Sequence, residues 1–181
     1  MLIDKNIEEL AEKISDTKKS VPAGGTTIAS SALLSVSLLE LVIRVSKKEY
    51  SDKKKEKLKT EENKLINIKE NLLKAIDDDA AAFRKNSDSN FKNLEDLKEI
   101  VAVPLSIAES AAEALTTAYK IEQQVKKTVK ADYQISKYNL QAAVRGAISI
   151  IEANYNFFPE NNKYIENIRL KIKKIKDILK L

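Results

Sequence analysis

The chain has no histidine and no cysteine in its 181 residues. Ser-His and Cys-His devices, thiolate metal sites and disulfides are therefore excluded, and acid–base chemistry falls to Asp, Glu, Lys or Tyr. One carboxylate stands out for that work. Leu65, Ile68, Leu72, Ile76 and Phe83 follow one another in steps of 3, 4, 4 and 7, and the position that would complete the stripe is Asp79. A carboxylate on a core-facing stripe is unfavourable unless it is paired, hydrogen-bonded or protonated. Burial raises its pKa toward the range where a general acid or base works at neutral pH. Two assignments remain open at this level: an acid/base residue, or a structural Asp paired with a Lys, Arg or hydroxyl inside the fold. Asp78 and Asp77 lie about 100° and 200° further round the helix. Three neighbours pointing in different directions make a poor cation cage, so no metal is expected.

Two other places could meet a ligand. Gly24 and Gly25, two of only three glycines, stand side by side after Pro22 and before Thr26 and Thr27. Pro22 stiffens the entry, and either threonine can cap the helix that follows. Uncovered N–H groups at a positive helix end suit a carboxylate or phosphate. Asp132 reads as the N-cap of a later helix or as a helix start facing a ligand. Gly146, inside that helix, implies close helix contact within the fold or across a dimer.

The elements that must position these residues are all helical. No segment alternates with period two, and no Asn-Gly or Asp-Gly hairpin turn occurs. Periodicity and breakers predict helices over about Leu2–Ile14, Thr26–Ser46, a lysine-rich start through to Asn86, Leu94–Val129 bent near Pro104, Tyr133–Tyr155, and Asn161 to the end. The second is apolar over most of its circumference and should be central. The last carries Ile165, Ile168, Ile172, Ile175 and Leu179 at helical spacing and should pack on its own bundle. The expected fold is an all-α, single-domain bundle of about six helices over residues 1–181.

Composition narrows the partners. The net charge is +5, but only four of the 32 basic residues are Arg, and Lys is interspersed with acids. That suits a solvated surface better than a nucleic-acid face, so no nucleic-acid partner is expected. The uncharged run Ser20–Leu39 contains Pro, Gly and seven Ser/Thr. It reads as a buried helix, and no membrane partner is expected. The charged N-terminus and the absence of cysteine point to a cytoplasmic location.

With these residues placed, the chain resembles the formiminotransferase-cyclodeaminase C-terminal family, which includes methenyltetrahydrofolate cyclohydrolases. The resemblance runs from about residue 7 to 158. PAGGTTIASSALL is similar to the family's Pro-Gly-Gly-Gly-Ser loop and helix. AIDDDAAAF resembles its Ile-Asp-Glu-Asp-Ala-x-Ala-Phe segment, and VAVPLSIAESAAEAL its Val-Pro-Leu-x-Ile-Ala-Glu helix. ADYQISKYNLQAAVRGA falls where the family has Ser-Asp-Val-Gly-Val-Ala and a later Gly-Ala. Ala23, Ala131 and Gln134 depart from the pattern, as do Ile150, Ile151 and Glu152, while Asn154 matches.

The resemblance implies an all-α homodimer that binds a folate in a cleft near the subunit interface. It implies chemistry at the one-carbon bridge between N5 and N10: hydrolytic opening of a methenyl group, or closure of a formimino group with loss of ammonia. No cofactor is implied beyond the tetrahydrofolate substrate. Cyclohydrolase is placed ahead of cyclodeaminase because the chain stands alone. Asp79 and Asp77 carry over as catalytic candidates, and Pro22, Gly24, Gly25, Thr26, Asp132 and Asn154 as substrate-binding ones. A catalytically impaired folate-binding protein, or an interaction bundle that keeps the fold, is the alternative.

Overall fold

A computed structural model describes residues 1–180. Leu181, included in the expected last helix, lies outside the described residues. Six helices follow in order: α1 (Ile7–Ser15), α2 (Gly24–Ser46), α3 (Asp52–Asp88), α4 (Leu94–Ile121), α5 (Lys130–Asn154) and α6 (Lys163–Leu179). No strand occurs among the described residues. The all-α expectation holds. Three helices begin at an Asn whose side chain accepts from first-turn amides: Asn6 from Glu9, Asn93 from Glu95, and Asn162 from Tyr164 and Ile165.

Helices α2 to α5 form an up-down-up-down bundle. α2 lies against α3 and α5, α3 against α4, and α4 against α5. Leu39, Leu65, Leu72, Leu115, Leu140 and Ile151 are among the side chains fully enclosed at its centre. All five apolar residues of the α6 stripe are buried, so this helix packs on its own bundle. Gly146 sits where a Cβ would come within 2.7 Å of the Ile28 side chain, which places its close contact between α5 and α2 of one chain.

Several expectations change. The first helix starts at Ile7 and is peripheral: Ile7 is 80% exposed, and no α1 residue is buried. Nine residues present too little apolar surface to hold that face inside. α4 stops at Ile121, and two short 3-10 turns, Glu122–Gln124 and Lys127–Val129, carry the chain into α5. Asp132 therefore lies in the first turn of α5, and Val129 holds the N-cap position. α2 and α4 are each long and apolar enough to cross a membrane by length and composition. α2 is not central all round, because Leu34 and Leu41 are 63% and 46% exposed.

Candidate functional site

At one end of the bundle the start of α2 meets the last third of α3. Neither threonine caps α2. The Thr26 hydroxyl donates to the Ile76 carbonyl at 3.2 Å, and the Thr27 hydroxyl donates to the Ala23 carbonyl at 2.9 Å. The free end of the helix is covered instead by Asp79. A Cβ on Gly25 would come within 2.0 Å of Asp79 Oδ1, so only glycine lets the carboxylate approach the α2 backbone this closely. Gly24 is different: a Cβ there would meet Ile150 at 3.5 Å, an ordinary contact.

Burial pushes Asp79 up from 3.8 to about 6, opposed by the Thr26 backbone N–H, which favours the charged form. No cation pairs with it among the described residues. That separates Asp79 from the other inward carboxylates. Glu40 accepts from Lys69 at 2.7 Å and from Arg44. Glu62 accepts from Arg44 at 2.8 Å and from Lys47. Burial raises the Glu62 carboxyl, but the hydrogen bonds from Lys47 and Arg44 outweigh it and leave the group below its ordinary value. The acids of α2 and the middle of α3 are thus structural ion pairs, and the unpaired one lies at the helix end.

Asp79 opens onto a cavity of about 230 Å³ whose walls are largely apolar, formed by Val21, Phe83, Ile100 and Ile150, with Ser20, Gly24, Gly25 and Asn154 also lining it. Asn154 has a second task. Pro104 lacks the N–H that would bond to the Ile100 carbonyl four residues earlier. The Asn154 side-chain amide donates to that carbonyl at 2.7 Å, which holds the end of α5 against α4 at the cavity wall.

The structure therefore brings Asp79, Gly24, Gly25, Thr26 and Asn154 together. Asp77 is elsewhere: its carboxylate accepts from the backbone N–H groups of Leu2 and Ile3 and fastens the N-terminal segment. Asp78 faces outward to Lys74 at 3.8 Å. Asp132 precedes Asn154 by 22 residues on α5, about 33 Å of helix, and lies at the other end of the bundle. Pro22 lines an adjoining recess. Val21 and Ile100 had no chemical signal in sequence, because apolar walls are indistinguishable there from core, and Ile150 stood out only as a departure from the family pattern.

A family model described as formiminotransferase-cyclodeaminase matches residues 6–174. The chain belongs to this family. The cyclodeaminase fold is also visible in a solved relative, the crystal structure of formiminotetrahydrofolate cyclodeaminase from Thermotoga maritima. It superposes with a TM-score of 0.91 at 14% identity, covering 99% of this chain and 92% of that one. At that identity the likeness shows the fold alone. No curated protein matches the chain.

The elevated Asp79 pKa has a thermodynamic consequence. The folded chain holds this proton more tightly than the unfolded one, so the stabilisation is complete below about pH 4 and is lost as pH rises through about 6. Asp79→Asn should remove that part of the decline. Urea midpoints of the two proteins at pH 4 and pH 7.5 check it: the Asn variant should gain on the wild type at the higher pH.

Proposed function

We propose that the chain is a folate-dependent one-carbon enzyme, with Asp79 as general acid/base at the N5–N10 bridge of a tetrahydrofolate. The observation that supports this most directly is an unpaired carboxyl with a pKa near 6 at an apolar cavity. A group with that pKa offers both protonation states at neutral pH. In hydrolytic opening, Asp79 takes a proton from water as the oxygen adds to the methenyl carbon. The protonated Asp79 then gives that proton to N5 as the carbon–N5 bond breaks, the hydroxyl proton passes to water as the C=O forms, and a formyl group is left on N10. In ring closure, N10 attacks the formimino carbon, its own proton passes to the formimino nitrogen, and the protonated carboxyl gives that nitrogen a second proton as the carbon–nitrogen bond breaks and ammonia leaves. The cationic methenyl product or substrate is favoured beside the carboxylate. Asp77, held by backbone amides, takes no part in this reading.

Two absorbance assays decide between the reactions. Loss of the methenyl chromophore in water supports the cyclohydrolase, and its appearance from the formimino compound supports the cyclodeaminase. Binding of both folates without either change favours the catalytically impaired alternative.

A homodimer belongs to the same reading. Leu34, Leu38, Leu41 and Val45 recur on α2 in steps of 4, 3 and 4, the spacing of a helix–helix seam. Exposed Ile135 and Tyr138 add apolar surface on neighbouring α5. A second copy of this chain suits the patch because a two-fold pairing lays like residues together. Leu34→Glu with Leu41→Glu should halve the mass seen by sedimentation equilibrium. An unchanged mass would remove this face as the interface.

A further inference from the structure

The α2 end was the expected seat of a ligand carboxylate, yet Asp79 covers it. A second anion there would meet like charge. Directly beside the Asp79 cavity, and sharing Val21 as a wall, lies a recess of about 110 Å³. Lys13 from α1, Lys19 from the loop after it and Arg84 from α3 line it, and the adjoining acid is Asp16. Three cations thus face one carboxylate. Asp16 already accepts from the Lys18 backbone N–H at 3.0 Å. None of the three cations forms an ion pair among the described residues. Arg84 uses only Nε, on the Ala80 carbonyl at 3.1 Å, which turns its remaining fork donors free for a ligand.

We propose that this recess is the carboxylate subsite of the enzyme, where Lys13, Lys19 and Arg84 hold the glutamate end of the folate while its ring system occupies the apolar cavity at Asp79. The assignment rests on the folate reading above. The two cavities together match a dipolar ligand: a nitrogen-rich ring beside the carboxylate, and an anionic tail beside the cations. Val21, common to both walls, sets the path between them. Arg84 supplies directed donors, and the lysines supply charge without fixed geometry.

The test compares two stable ligands by calorimetry on the full chain, 5-formyltetrahydrofolate and 5-formyltetrahydropteroate, which lacks the glutamate. The wild type should bind the first about tenfold more tightly or better. That preference should shrink as salt rises from 20 to 300 mM, concentrations at which the Debye length falls from roughly 20 to 6 Å. Lys13→Gln/Lys19→Gln/Arg84→Gln should bind the two ligands alike. If that variant does not fold, Lys19→Glu, at an exposed side chain, should lower the preference by about threefold or more. Equal binding of both ligands by the wild type, or a preference that survives these substitutions, overturns the subsite and leaves the folate reading intact. Failure of the wild type to bind either ligand overturns the folate reading, and the subsite with it.

Discussion

Asp79→Asn should lower kcat on the folate substrate by about 10²- to 10⁴-fold, the usual contribution of a positioned acid or base. The argument rests on what the substitution keeps. Asn is nearly isosteric and can still accept from the Thr26 backbone N–H through its side-chain oxygen. It cannot take or give a proton at pH 7. No ion pair is broken, since no cation pairs with Asp79 among the described residues. The folded chain should be as stable as the wild type at neutral pH, or more so, because a charge held against burial is removed. KM should rise for the cationic methenyl compound, which loses its neighbouring carboxylate, and any limb of the pH–rate profile near 6 should disappear. Urea unfolding, run beside the assay, separates lost chemistry from lost structure. A near-normal kcat in a folded variant would end the proposed role.

Gly25→Ala should inactivate nearly as strongly, while Gly24→Ala should not. At position 25 the new methyl would lie 2.0 Å from Asp79 Oδ1 and 2.2 Å from Cγ. One of them must move, and the carboxyl end of Asp79 can yield only by swinging off the helix end toward the cavity. Overpacking of this kind costs about 1–3 kcal/mol. Exchanging Gly for Ala in a helix returns up to about 1 kcal/mol. The net stability change is therefore small, and the displaced carboxylate is the main effect: about 10²-fold or more in kcat. At position 24 the methyl would meet Ile150 at 3.5 Å, an ordinary contact. That variant should fold normally and gain roughly 0.4–1 kcal/mol through the unfolded state. Equal activities for the two variants would show that the close approach at Gly25 is not required.

Much of the candidate site is legible in the sequence without any tertiary contact. The absence of His and Cys restricts the chemistry to carboxylates, amines and phenols. The stripe Leu65, Ile68, Leu72, Ile76 singles out Asp79 because helical periodicity states which way a side chain points around its own axis. The same periodicity placed the five apolar residues of α6 inward, and they are buried. Paired glycines ahead of an apolar helix marked a backbone that something approaches.

Periodicity around one helix does not say which part of another helix lies opposite. Asp77 and Asp79 were both catalytic candidates by resemblance, although only Asp79 lies on the apolar stripe. Packing sends one to the N-terminal amides and the other to Gly25. Gly24 and Gly25 looked alike, and only the height of α3 against α2 makes one replaceable. Asp132 lost its place for the same reason: α5 is long, and its two ends face different sites. Asn154 gained a partner, the Ile100 carbonyl left free by Pro104, that lies 54 residues earlier in the chain. Local sequence thus determined the helices, their inward faces and the kind of chemistry available. The relative register of the packed helices, set by contacts distant in sequence, decided which residues share the cavity.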